Sequence, residues 1–172
     1  MKISRNSVAG ILILSICACA QAQAPTADAV KPYPIDQLSY QLGGFSSFAE
    51  IVSLGIKKLA LSAAVSAGEM ESLYLEATRI AAKAGVEIYR EPEFMVSDLF
   101  PVSATKNKHV ILIYQGTTLT DYFSLKDRKQ QLVANGRYQG KERAAISWAM
   151  GKLLSYPDSK ISELISKNND KQ

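Results

Sequence analysis

The sequence predicts an α/β domain: a small, mainly parallel sheet of three or four strands with helices packed on it, and a helix-rich C-terminal part. Three observations carry this. Val110-Ile111-Leu112-Ile113-Tyr114 is an unbroken apolar run, the pattern of a strand covered on both faces. Ahead of it, an apolar segment at 57–62, an amphipathic helix and a second apolar segment at 86–90 succeed one another, the order of a βαβ unit with parallel strands and a right-handed crossover. Behind it, three helical patterns occupy the rest of the chain, enough to cover a small sheet.

The elements follow in order. Residues 1–22 read as an export signal: Lys2 and Arg5 supply the charge, residues 8–16 a short apolar core, and small residues follow. The apolar run is too short to span a bilayer as a helix. Ala20-Gln21-Ala22 offers an ordinary cleavage site, while Ile16-Cys17-Ala18-Cys19 is similar to a lipobox that would acylate Cys19 and anchor the product by its acyl chains. Residues 23–44, with Pro25, Pro32, Pro34 and Gly43-Gly44, read as a linker or N-terminal arm. The single domain is expected over 45–167, with 168–172 as a disordered polar tail.

Within the domain, Ser47-Phe48-Ala49-Glu50 has the spacing of a capping box and predicts a short helix over 48–54. Lys57 to Ser62 read as the first strand. Ser66-Ala67-Gly68-Glu69 is a second capping box, followed by Met70, Leu73, Tyr74, Ala77, Ile80, Ala81 and Ala84 at helical spacing, with Gly85 closing the helix. A strand follows at 86–90. Glu91-Pro92-Glu93 breaks the pattern, residues 95–100 read as a short strand or an irregular segment, and 102–107 as a loop. The central strand covers 108–114. Thr118 is expected to cap a helix running to 134 before Asn135-Gly136, and two further helices are expected over 141–156 and around Ile161, Leu164 and Ile165.

Composition excludes several function classes. The formal charge is +4; without Lys2 and Arg5 it is +2, with 18 basic and 16 acidic residues. An excess that small gives no electrostatic footprint for nucleic acid. Both cysteines, Cys17 and Cys19, lie in the signal, so the domain has no disulfide, no thiolate metal site and no cysteine nucleophile. His109 is the single histidine, which leaves no multi-histidine metal site, and its place at the start of the central strand puts a Ser-His-Asp triad on the wrong edge of a parallel sheet. No phosphate-loop or dinucleotide-binding spacing occurs, and no cofactor is expected.

In a parallel sheet a ligand would sit beyond the carboxyl ends of the strands. Those ends supply Ser62, Arg90, Gln115, Gly116, Thr117 and Thr118. Gly116 would let the backbone approach a ligand, the helix starting near Thr118 would favour an anion, and Arg90 would grip a carboxylate or phosphate. Glu91, Glu93 and Asp98 form an acidic cluster that would suit acid–base chemistry or an oxygen-bound divalent cation. Lys126, Arg128, Lys129, Arg137, Lys141 and Arg143 make the densest basic region, read as a solvated helix face. Of the aromatics Tyr114, Tyr122, Phe123 and Trp148, the last two are expected mainly to pack. The leading expectation is an exported, periplasmic or lipid-anchored binding or accessory protein without catalysis, taking a small anionic ligand or an envelope protein as partner. The alternatives are a carboxylate- and cation-dependent hydrolase of the envelope and a protein–protein adaptor using the C-terminal helices.

Overall fold

The computed structural model describes residues 34–171. The expected signal, its cleavage and lipidation sites and the first half of the expected arm, 23–33, lie outside the described residues. Residues from Ile35 onward belong to one compact unit.

Helix α1 (Gln37–Ser53) begins well before the expected 48. Asp36 caps it, its carboxylate accepting from the Ser39 amide at 2.8 Å. Gly43 and Gly44 therefore lie inside a helix rather than at the end of an arm. Ser47, expected as a cap, donates its hydroxyl to the Gly43 carbonyl one turn back. Strand β1 (Leu59–Leu61) leads to α2 (Ala67–Ala84), where the Ser66–Glu69 capping box forms in both directions and Gly85 closes the helix at φ +69°. Strand β2 (Glu87–Glu91), an irregular stretch, the one-turn α3 (Val102–Thr105) and strand β3 (Val110–Tyr114) follow. Helices α4 (Thr118–Ala134), α5 (Gly140–Leu153) and α6 (Asp158–Lys167) complete the chain.

The sheet corrects the expected topology. Its order is β1-β3-β2, and β3 pairs antiparallel with both neighbours. β1 and β2 run the same way, as a βαβ unit requires, but β3 is inserted between them in the opposite direction. The sheet is therefore antiparallel, not mainly parallel. The apolar run of β3 reflects burial on two faces, and a central antiparallel strand with helices on both sides meets that condition as well as a parallel one does.

Side chains alternate between two cores. Leu59, Val110, Leu112 and Tyr114 enter one with α4, α5 and α6. Ala60, Ile111 and Ile113 enter the other with Phe45, Ala49 and Val52 of α1 and Met70, Leu73 and Ala77 of α2. Residues 168–170, expected in a disordered tail, are docked on the domain. Asn168 is buried, and its amide donates to the carbonyls of Asp98 and Phe100 at 3.1 and 3.0 Å. Asp170 accepts from the amides of Val102, through its carbonyl, and Ser103, through its carboxylate.

Candidate functional site

Reversing β3 divides the residues expected at one site. Arg90 lies opposite Ile111, and the Ser62 amide donates to the Ile111 carbonyl. Gln115 follows four residues later on the same strand, about 14 Å away at ~3.4 Å per residue. Ser62 and Arg90 thus flank one end of the sheet, and Gln115, Gly116, Thr117 and Thr118 occupy the other. His109 comes to the Arg90 end, where the guanidinium approaches its Nδ1 at 3.4 Å and also pairs with Glu71 of α2 at 2.7 Å.

At the far end Gln115, Gly116 and Thr118 have local work. The Gln115 side chain donates to the Gly85 carbonyl, tying the end of β3 to the end of α2. Gly116 turns the chain at φ +61°, a conformation that costs L side chains strain. The Thr118 hydroxyl donates back to the Gln115 carbonyl at 3.0 Å. Thr118 is the first residue of α4, not its cap; Thr117 stands at the cap position without a side-chain cap bond.

The acidic cluster is held by the basic region. Glu91 is buried and accepts from the Lys126 ammonium at 3.1 and 3.0 Å, while that ammonium also donates to the Glu93 carbonyl. Asp98 receives Nε and Nη2 of Arg143 at 2.5–3.0 Å. Lys129 donates to the Val96 carbonyl at 2.7 Å and lies over the ring of Tyr138. Arg128 and Arg137 both pair with Glu142. Lys126, Lys129 and Arg143 thus fasten α4 and α5 to the end of β2 and the irregular stretch after it, while Arg128 and Arg137 pair on the exposed surface. Among the described residues, no three His, Cys, Asp or Glu side chains gather in a way that could hold a metal ion. Tyr122 and Tyr114 are buried in the core, with Phe123 and Trp148 packed against it.

A cavity opens at the free edge of β1. It holds about 230 Å³ and is lined by Phe48, Ala60, Leu61, Ala64, Phe94, Phe100, Ala104, Val110, Leu154 and Tyr156, with Lys57, Ser62 and Thr105 as the remaining groups. The edge is free because β1 pairs only with β3. The register explains the shape of the wall. Partners in the β1–β3 ladder are Leu59 with Tyr114 and Leu61 with Leu112, but the next bridge joins Val65 to His109, one residue out of step. The extra residue is a bulge at 62–64. Ser62 repairs it: its hydroxyl accepts from the Ile111 amide at 2.8 Å and donates to the Ala63 carbonyl at 2.9 Å. Ser62 lines the cavity, as the sequence reading of a ligand residue would ask, yet its hydroxyl is engaged in the bulge.

Thr105 likewise donates to the Pro101 carbonyl. Lys57 is the one charged group in the wall. Its ammonium donates to the carbonyl of Leu154 at the C-terminal end of α5, at 2.5 Å, and sits 4.5 Å from the centre of the Tyr156 ring. Burial holds its pKa below the usual lysine value. The sequence reading passed over Lys57. Its partners lie 97 and 99 positions further on, and no spacing in a sequence signals a contact of that kind.

No protein-family model matches the chain, and no curated protein or solved structure matches it significantly.

Proposed function

We propose that this is a binding protein without catalysis, exported to the bacterial envelope, which holds a small and mainly apolar ligand in the cavity beside β1. The observation that carries the reading is the cavity itself: a concave, largely apolar wall with few polar groups is the usual form of a small-molecule site. Its lining comes from α1, β1 and the residues on either side of it, the 94–105 stretch, the start of β3 and the α5–α6 turn. Two further points support the reading, one on binding and one on export. Glu91 and Asp98 are each tied to a cation, which suits carboxylates that fasten structure better than carboxylates that exchange protons. The charge–apolar–small order of residues 1–22 supports export, with acylation of Cys19 as the route to a membrane anchor. No helix among the described residues is long and apolar enough to cross a membrane.

The test is displacement of a fluorescent apolar probe such as N-phenyl-1-naphthylamine. The protein is expected to bind the probe at one site, and Ala104→Phe, an exposed position on the cavity wall, is expected to weaken it tenfold or more by filling the space. Full probe binding in a folded Ala104→Phe variant would show that the ligand sits elsewhere. Mass spectrometry of the purified protein would identify a retained ligand and report whether Cys19 is acylated.

A further inference from the structure

Resting on that reading of the cavity, we infer that its ligand is an amphipathic carboxylate, with an apolar body against Leu61, Phe94 and Phe100 and a carboxylate on the ammonium of Lys57. The inference starts from charge. An ammonium taken partly out of water is costly unless an anion or several acceptors replace its hydration. On the α4–α6 side of the sheet Lys126 has Glu91 and Arg143 has Asp98, while Lys129 donates to the Val96 carbonyl. Lys57 has no carboxylate among the described residues. Its partners are one carbonyl and one aromatic face, and an ammonium has three N–H donors. Leu154 takes one and the Tyr156 ring faces the ammonium, and Lys57 lines the cavity, so a carboxylate bound there would take a remaining donor.

The cavity itself selects the rest of the ligand. Its lining contains no acidic residue to repel an anion, and of its three side-chain hydroxyls those of Ser62 and Thr105 already donate to backbone carbonyls, which leaves the Tyr156 phenol. A polar ligand would therefore find few partners, whereas an alkyl or aryl body would displace water from apolar walls. The same wall that welcomes an apolar body lowers the local dielectric around Lys57 and strengthens its attraction for a carboxylate. A structural role for Lys57 alone, holding the carbonyl of Leu154 just past the end of α5, would leave the cavity indifferent to ligand charge. The two roles are therefore separable by experiment.

Binding of decanoate, 1-decanol and decylamine, measured by calorimetry or probe displacement at pH 7.5, tests the inference. The unaltered protein is expected to bind decanoate at least tenfold more tightly than decanol and to bind decylamine most weakly. Lys57→Met is expected to abolish the preference for decanoate while retaining decanol, and Lys57→Arg to keep it. Equal affinity for decanoate and decanol, or a decanoate preference that survives Lys57→Met, overturns the assignment of Lys57 and leaves the apolar cavity reading standing. Affinities for decanoate and decanol that Ala104→Phe leaves unchanged overturn the cavity reading as well. Should Lys57→Met fail to fold, the decanoate-to-decanol ratio in the unaltered protein and in Lys57→Arg still decides.

Discussion

Asp98 is 8 % exposed, and both of its carboxylate oxygens accept from Arg143. Its main-chain amide is held in turn by the hydroxyl of Ser147, and its carbonyl by Asn168. Removing one partner from such a pair leaves a buried charge without compensation, which is more damaging than losing the pair altogether. Arg143→Met is therefore expected to lower the unfolding free energy by about 3 kcal/mol, and the double variant Asp98→Asn with Arg143→Met to recover part of that loss. Urea denaturation of the three proteins measures it; a double variant less stable than Arg143→Met would contradict the account. Both residues stand out in the sequence, Asp98 in an acidic cluster and Arg143 in a basic one. Their neutralisation of each other is not legible there, because they are 45 positions apart and only the packing of α5 against the 94–100 stretch brings them together. Lys57 is hidden for the same reason.

Helices α5 and α6 meet at a glycine. A Cβ built on Gly151 would lie 2.6 Å from Ile161 Cγ1 and 2.7 Å from its Cδ1, and Ile161 is fully buried. Gly151→Ala should gain about 1 kcal/mol from helix propensity and lose about 1–3 kcal/mol to overpacking, because a fully buried isoleucine must shift at both Cγ1 and Cδ1 to admit the methyl. Net destabilisation is expected. In an Ile161→Ala background the clash disappears, and the same substitution should become stabilising; a thermal-denaturation cycle over the four proteins reads the change of sign. At this scale the sequence is informative where signals are local. The Ser66–Glu69 box and Gly85 bound α2 as expected, and β3 is the strand its composition announces. It is uninformative where the outcome depends on a distant partner. The direction of β3 is set by the strands beside it, and a continuous apolar run reads the same in either direction. The paired glycines 43 and 44 look like a break, yet α1 runs through them because Phe45, Ala49 and Val52 bury one face against α2 and the sheet. The reversal of β3 also undid the expected site, since it moved Gln115, Gly116, Thr117 and Thr118 away from Ser62 and Arg90.

For the molecule as a whole, the core on the α4–α6 side is the one that contains titrating groups, and alkaline pH should find it first. Tyr122 is fully buried between the sheet and the 94–100 stretch; its hydroxyl accepts from the Met95 amide at 3.1 Å, and its ring stacks near Phe94. Burial, reinforced by the negative charge of Glu91, raises the Tyr122 pKa far above the usual tyrosine value, and the Met95 amide opposes this only in part. In the unfolded chain the phenol ionises near pH 10, while in the folded protein it keeps its proton. The folded state then binds more protons than the unfolded state, so stability is complete below pH 10 and falls as pH rises beyond it. The contribution of this one group is up to about 1.4 kcal/mol per pH unit. Tyr114, Tyr138 and Tyr156 are raised as well, mainly by burial, and act in the same sense; Lys57 and Lys129, lowered by burial, act in the opposite sense. A comparison with Tyr122→Phe cancels all of them. At pH 8 the variant should be less stable by about 1–3 kcal/mol, because the Met95 amide loses its acceptor in a buried place. Above pH 10 the gap should close at up to about 1.4 kcal/mol per unit, since only the unaltered protein has a Tyr122 to ionise on unfolding. Chemical denaturation at half-unit steps from pH 8 to 11 follows the gap. Two parallel pH profiles would mean that the Tyr122 phenol meets solvent in the folded state, and the core on that face would then be looser than its packing describes.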